Sequence, residues 1–297
     1  MTMLAEPFAD IADTEFSYQE AFSRHAGILT TEEQETLRRS RVAIIGMGGV
    51  GGVHLITLAR LGIGRFTIAD PDTYELANFN RQYGANMRTL GRPKVEVMAE
   101  EALAINPEID IHVMQEPVDE SNVDEFLDGA DILVDGVDFF AIEARRLVFR
   151  EARRRGIWGI TAGPHAFGTA WMSFSPNGMS FDAFFDLHDT MDESDKLVAF
   201  AVGCVPTPLH LAYVDLGEYF RPAAKGAGSA ALACNLAAGV TAAQVGRLLL
   251  NHTDVRPVPW YGHFDAYRQK LVSRKLRGGN RHPWQRIKRW WLKRRMQ

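Results

Sequence analysis

The stretch Arg41 to Gly51, RVAIIGMGGVG, leaves the chain few folds. An arginine and four apolar residues, three of them β-branched, run straight into a cluster of glycines. An apolar-periodic stretch from Val53 to Leu61 follows. A short buried strand that turns on glycines into a helix is the opening unit of a nucleotide-binding βαβ fold. The glycines permit a tight turn and close backbone approach, and the helix N-terminus presents free N–H groups to a phosphate. Gly46-Met47-Gly48-Gly49-Val50-Gly51 fits G-x-G-x-x-G, so Gly46, Gly48, Gly49 and Gly51 are the nucleotide-binding glycines expected here. The loop alone does not choose between NAD, a flavin and ATP, and a glycine turn without a ligand is the plain alternative.

The rest of the chain extends this unit. Residues 41–45, 65–69, 109–115, 132–134 and 158–162 read as strands. The segments 53–61, 94–105, 122–127 and 142–155 read as helices between them, the last with a basic outer face. Strand and helix in alternation require right-handed crossovers and a parallel sheet. The predicted fold class is therefore α/β: a doubly wound, mostly parallel Rossmann-like sheet with an α+β C-terminal half. Residues 1–40 form an N-terminal segment, helical and polar from about 14, that does not reach the core. The half after 163 is strand-like to about Phe185 and then irregular. Ala227 to Leu250 is the last long core helix, too polar at Ser229, Asn235, Thr241, Gln244 and Arg247 for a membrane span. Pro257-Val258-Pro259 closes the core, and the remainder to Gln297 is an extension.

Composition limits the chemistry. Hydrophobic residues at 46% and charged residues at 24% are ordinary for a globular protein and exclude disorder as the dominant state. Two cysteines, Cys204 and Cys234, exclude a disulfide framework and a four-cysteine zinc site. The acidic start, Met1 to Glu15, lacks the basic and apolar regions of a signal peptide. The expected compartment is the cytoplasm.

Asp70 ends the second strand and is placed to accept bonds from ribose hydroxyls. The stretch that discriminates follows it: Asp70-Pro71-Asp72, Ala77-Asn78-Phe79-Asn80-Arg81-Gln82, Gly91-Arg92-Pro93-Lys94 and Asn106-Pro107. With these strings, residues 20 to 250 resemble the ubiquitin-activating-enzyme superfamily. They are most similar to its compact homodimeric bacterial members, the ThiF- and MoeB-type adenylyltransferases. The resemblance implies a ThiF-type adenylation domain over 41–256. Its reaction joins a carboxylate to the α-phosphate of ATP as an acyl-adenylate and releases pyrophosphate. By the same resemblance, Arg81 and Lys94 bind the phosphates, Asn78 lies near them, Asp72 belongs to the nucleotide site, and Asp138 holds Mg²⁺. Arg24 is inserted into the ATP site of a neighbouring subunit, which implies a homodimer. The implied substrate is the C-terminus of a ubiquitin-like sulfur carrier, a peptide or a small acid. Taken singly, Arg81 and Lys94 read as solvated charges, Asp138 as a helix N-cap before Ile142, and Arg24 as one half of a surface ion pair. Asp135, at a strand end, reads as structural.

The chain departs from its relatives in three ways. The two C-x-x-C pairs that hold zinc in many of them are missing, so no structural zinc is expected. Cys204, in a Gly/Pro-rich setting that suggests an exposed loop, is the one candidate acyl-accepting thiol, although nothing basic lies nearby in sequence; Cys234 reads as core. Phe139 and Phe140 follow Asp138 where the family commonly has Asn.

The charge is also divided. From Arg268 to Gln297 there are 12 Lys and Arg and no acid, against 21 basic and 37 acidic residues before them. His282 to Gln297 reads as a helix with Pro283 in its first turn and Trp284, Ile287 and Trp291 at i, i+3 and i+7. Its tryptophans pack on the acidic body, or it lies on an anionic membrane surface, which would make the protein peripheral to the membrane; nucleic acid is the least favoured partner. For the whole chain, an adenylyltransferase using ATP and Mg²⁺ is the leading reading. A non-catalytic nucleotide-binding partner protein and an NAD- or FAD-dependent oxidoreductase are the alternatives.

Overall fold

The computed structural model describes residues 15–215, 228–252 and 254–296. The acidic start up to residue 14 and the expected beginning of the last core helix at 227 lie outside them. Eight strands form one sheet in the order β3-β2-β1-β4-β5-β6-β7-β8. The first five are β1 (Arg41–Ile45), β2 (Arg65–Ala69), β3 (Asp110–Met114), β4 (Ile132–Asp135) and β5 (Trp158–His165), all mutually parallel. β6 (Gly168–Phe174), β7 (Trp260–Asp265) and β8 (Lys270–Lys275) continue the sheet antiparallel. The expected parallel, doubly wound core is thus present, with an antiparallel wing beside it.

Alternation along the strands sorts the two faces. Val42 and Ile44 of β1 point to one side, where they meet Leu37 of α2 (Thr31–Arg39), Leu55 and Leu58 of α3 (Gly51–Leu61), Val95 and Met98 of α4 (Lys94–Ile105), and Val245 of the long helix Ala231–Leu249. Ala43 and Ile45 point to the other. There they meet α5 (Val123–Phe126), α6 (Ile142–Arg154), α7 (Phe181–Phe185) and α8 (Glu193–Cys204), with Phe149, Phe174, Phe181, Phe184, Phe185 and Phe200 in mutual ring contact. Each such side chain taken fully out of water contributes about 1.5–3 kcal/mol. The Ala231–Leu249 helix, α9, has the length and composition of a membrane-crossing helix, but it packs on α3, β5 and β6.

Three expectations are corrected. The stretch expected to be strand-like to about Phe185 and irregular after it is helical over Phe181–Phe185 and Glu193–Cys204: Ser180 and Asp192 cap these two helices, accepting from Ala183 N and Asp195 N. Residues 257–297 are not a mere appendage, since β7 and β8 belong to the main sheet. The helix α10 (Pro283–Met296) follows them and rests on α8. The N-terminal segment does reach the core. It contains the short helix α1 (Tyr18–Ala21), a 3₁₀ turn Ser23–His25 and α2. Leu37 is fully buried, and the Tyr18 hydroxyl, also buried, donates to Gly62 O at 2.6 Å and accepts from Gln34 Nε2 at 2.9 Å. These bonds tie the segment to the C-terminal end of α3.

Tyr18→Phe removes both bonds at nearly constant volume and leaves a buried carbonyl short of a donor. The expected loss is about 1–2 kcal/mol, read as a lower urea midpoint at unchanged slope.

Candidate active site

The site is built at the C-terminal ends of β1, β2 and β4, where an open parallel sheet leaves a crevice. Gly46 leaves β1 with φ of +85°, and its N–H donates to Ala69 O at 2.6 Å. A Cβ on Gly46 would collide with the Gly136 carbonyl, and one on Gly51 would overlap the Gly46 carbonyl. Gly136, after β4, has Gly51 Cα only 2.7 Å from where its own Cβ would lie. Gly46, Gly51 and Gly136 are therefore glycines because three backbone segments touch. Gly48 and Gly49 differ. The nearest atom to a Cβ on Gly48 is Gln82 Nε2 at 3.8 Å, and a Cβ on Gly49 would meet Cys234 Sγ at 3.3 Å and Arg81 Cγ at 3.4 Å. These two glycines keep open the floor of a cradle, and α3, which has no side-chain cap, offers its N-terminal amides there.

Asp70 braces the cradle from beneath. Its carboxylate accepts from Met47 N at 2.6 Å and Asp72 N at 2.8 Å, and only 6% of the residue is exposed. Burial raises its pKa against the opposing pull of Lys94 and the two amides. This differs from the expected free acceptor for ribose: Oδ2 already holds the glycine loop and Oδ1 the segment after β2.

Around the cradle stand the expected charged groups. Lys94, the first residue of α4, is buried, and its Nζ lies 2.8 Å from Asp72 Oδ2, whose side chain is 65% exposed. Arg81 packs its aliphatic stem beside Gly49 and donates to Ala77 O at 2.9 Å and Asn80 Oδ1 at 3.0 Å. Among the described residues its guanidinium has no anionic partner. Asn78 accepts from Glu75 N through Oδ1. Gln82, not singled out from the sequence, is buried beside Gly48 with Oε1 lacking a partner among the described residues. Its place next to Arg81 in the N-F-N-R-Q string was the available signal.

The β4–α6 connection holds two aspartates with different fates. Asp135 is 3% exposed and ion-paired to Arg145 Nε at 2.8 Å. The same guanidinium donates to Val137 O at 2.6 Å and Asp138 O at 3.3 Å, and it lies over the Phe200 ring. Asp138 is exposed, and its Oδ1 accepts from Phe140 N at 3.0 Å. It is not the N-cap of α6, which is Ala141. Arg145 and its neighbour Arg146, bidentate to Asp182, lie on the inner side of α6, so the basic outer face begins only at Arg150. A buried arginine ten residues after a buried aspartate was not recognised because α6 reads as amphipathic without it.

Two expected residues stand apart. Arg24 lies on the exposed 3₁₀ turn and makes no hydrogen bond or ion pair with a described residue. Its segment is fastened at Gly62, the far end of α3 from the glycine loop, about 16 Å away along an 11-residue helix. Cys204 is the last residue of α8 rather than part of an exposed loop. It packs against the aromatic core near Arg145 and Asp135, and burial pushes its thiol pKa up, opposite to what a nucleophilic cysteine needs. Cys234 is fully buried on α9, as expected of a core residue.

The two aspartates should separate cleanly in stability. Asp135→Ala strands the Arg145 charge in the interior and is expected to cost roughly 3–5 kcal/mol. Asp138→Ala, at an exposed position, is expected to cost less than about 1 kcal/mol. Denaturant melts of the two variants measure the difference directly.

Comparison with known proteins follows the same outline. The model of the ThiF family matches residues 22–285. The tRNA threonylcarbamoyladenosine dehydratase of Bacillus subtilis is 38% identical over 118 residues, covering 39% of this chain and 46% of that protein. The SAMP-activating enzyme E1 of Haloferax volcanii is 31% identical over 166 residues, covering 55% and 61%. The molybdopterin-synthase adenylyltransferase of Escherichia coli is 36% identical over 109 residues, covering 37% and 44%. The chain thus spans about half the length of the curated relatives it matches. Among solved structures, E. coli MccB with ATP superposes with a TM-score of 0.63 at 22% identity, covering 90% of this chain and 73% of that one, a likeness of fold. With one family model running from the N-terminal helices through the glycine loop to α10, this chain belongs to the ThiF family.

Proposed function

We propose that this protein is an ATP-dependent adenylyltransferase that activates a carboxylate. The observation that carries the reading is the open cradle at Gly48 and Gly49, flanked by Arg81, a cation with no anionic partner among the described residues. Attack of a carboxylate on a triphosphate brings two anions together, so the barrier is electrostatic and fixed positive charge is what lowers it. The carboxylate oxygen bonds to the α-phosphorus, the bond to the β-phosphate oxygen breaks, and pyrophosphate leaves with that electron pair. In this reading the α3 amides and Arg81 hold phosphate oxygens. Lys94 joins them by releasing Asp72, whose carboxylate is largely in water and is hydrated as it leaves, while the buried ammonium exchanges one anionic partner for another. Gln82 Oε1 and the Asn78 amide fix the position of the nucleotide.

Mg²⁺ fits the donor set. It takes hard oxygen ligands, and Asp138 offers an exposed carboxylate with only one oxygen engaged by the backbone. Asp138 would hold the ion, which supplies further neutralisation of phosphate charge.

The relatives' names include an activating enzyme and an adenylyltransferase, which supports adenylation, but they differ in what is acted on: a SAMP-activating enzyme E1, a molybdopterin-synthase adenylyltransferase and a tRNA threonylcarbamoyladenosine dehydratase. We propose the C-terminus of a ubiquitin-like carrier, a peptide or a small acid as the class. The dehydratase relatives add a tRNA-borne carboxylate to the panel to be tested. ATP–pyrophosphate exchange scanned over such a panel identifies the substrate. With it, Arg81→Ala, Lys94→Ala and Asp138→Ala are each expected to lower exchange about 10²- to 10³-fold, with folding retained for Arg81 and Asp138. Binding of NADH at micromolar strength with no binding of ATP would overturn the reading.

Arg24 belongs to the same proposal. Because its segment is fastened at the far end of α3, it serves the site of a second subunit in a C2 dimer, where its planar donor fork suits phosphate oxygens. Arg24→Ala and Asp138→Ala homodimers are each expected to be inactive. Mixed dimers are expected to regain one working site per pair. A stable mixed dimer without recovered exchange, or a monomer by light scattering, would reject the trans role.

A further inference from the structure

We infer that the outward face of α10 is a docking surface for an anionic lipid bilayer. The inward face of this helix is fixed to the body. Leu292 is buried with Val198 and Val202 of α8, and Gln285 Nε2 donates to Val202 O at 3.1 Å. Lys288 Nζ donates to Pro206 O at 2.6 Å, Arg289 pairs with Asp186 at 2.7 Å, and Lys293 pairs with Asp195. The acidic body thus takes up the basic residues on this side. The tryptophans take no part in the docking: Trp284, Ile287, Trp290 and Trp291 are 67%, 54%, 56% and 38% exposed. At 100° per residue these four fall within an arc of about 120°, opposite Gln285 and Leu292. Four large apolar side chains in one exposed stripe exceed the scattered exposure normal for a surface.

The charge around the stripe has one sign. Arg286, Arg294 and Arg295 are exposed and have no acidic partner among the described residues; Arg294 lies over the Trp290 ring at 4.0 Å and Arg295 over Trp291 at 4.1 Å. No acid occurs in the last 30 residues. Tryptophan rings at the depth of the headgroups, an aliphatic residue among them and arginines at their edges match a helix lying in the interface plane of an anionic membrane. Two other occupants fit less well. A convex helix offers no groove to track a nucleic-acid strand. In a two-fold contact of this face with itself, the three arginines of one copy would meet those of the other. The net negative charge of the remaining body would keep the rest of the molecule off the bilayer and set its orientation.

The test is flotation of the full-length chain with vesicles of phosphatidylcholine alone and of phosphatidylcholine with about 30% phosphatidylglycerol, alongside tryptophan emission. The expected result is at least a tenfold preference for the anionic vesicles, a blue shift on binding, and release by high salt. The variant Trp284→Ala with Trp290→Ala is expected to bind at least tenfold more weakly with an unchanged melting temperature, since both residues are more than half exposed. Arg294→Gln with Arg295→Gln is expected to reduce the preference for anionic lipid. The inference is overturned by no binding to anionic vesicles at low salt, or by equal binding of the tryptophan variant. It is likewise overturned if tRNA is bound more tightly than the vesicles, or if the tryptophan variant turns a dimer into a monomer, which would assign the stripe to a chain–chain contact.

Discussion

The contact on which the site depends is one of backbone with backbone. The loop after β1, the start of α3 and the loop after β4 touch at Gly46, Gly51 and Gly136, with no room for a side chain at any of them. This contact brings the first turn of α3 under the crevice, and it brings the β4–α6 connection, with Asp138, alongside. Asp70 completes it by accepting from Met47 N and Asp72 N, so that the end of β2 is fixed to the same point. A carboxylate this deeply buried is costly unless it is hydrogen-bonded. Here the bonds that satisfy it are also those that shape the loop, and stability and function rest on the same atoms.

Charge is then distributed by burial. Asp135 and Arg145 are both inside and neutralise each other, and Arg145 spends its remaining donors on the carbonyls of Val137 and Asp138. The connection after β4 is held from within, which leaves the Asp138 carboxylate outside and exposed. Lys94 is arranged the other way round. The cation is buried and its partner Asp72 is in water. Taking an ammonium out of water costs several kcal/mol unless it is compensated, so a buried Lys94 needs an anionic partner, and in the proposed reaction a phosphate takes the place of the exposed Asp72 carboxylate. In the same proposal Arg81 has no anion to release, because among the described residues its donors are engaged by neutral oxygens.

Most of the parallel half was legible in the sequence because its signals are local. RVAII, RFTIA and the glycine loop are each bounded by their own punctuation, and β1, β2 and α4 begin and end where the pattern puts them. The N-F-N-R-Q and G-R-P-K strings located Arg81 and Lys94 in the same way. What was not legible depends on distant partners. Tyr18 lies in a mixed polar stretch and Leu37 in a run of charged residues, and only their packing against Gly62 and the sheet reveals them as core. α8 begins at a good cap, Asp192, but the surrounding Asp, His and Thr read as loop. β7 follows two prolines and β8 carries the basic bias of the tail, yet the edge of β6 is there to pair with β7, and β7 with β8. The inward arginines 145 and 146 belong to this group as well, since each is explained by a carboxylate on another element.

The same dependence on partners explains why α10 has two characters. Its sequence is nearly uniform in charge, and nothing local separates Arg289 and Lys293 from Arg294 and Arg295. The separation comes from α8 and its flanks, where Asp186 and Asp195 are placed to receive the first pair and, among the described residues, no acid is placed to receive the second. Docking therefore sorts one basic helix into a neutralised inner side and a cationic, tryptophan-bearing outer side. Burial of Leu292 and Gln285, together with the Arg289 and Lys293 ion pairs, fixes the rotation about the helix axis. A free peptide of this sequence would be helical only marginally at 14 residues. On the folded body the ordering cost has already been met, so a surface that engages the outer side pays little of the entropy that usually weakens binding by short basic segments.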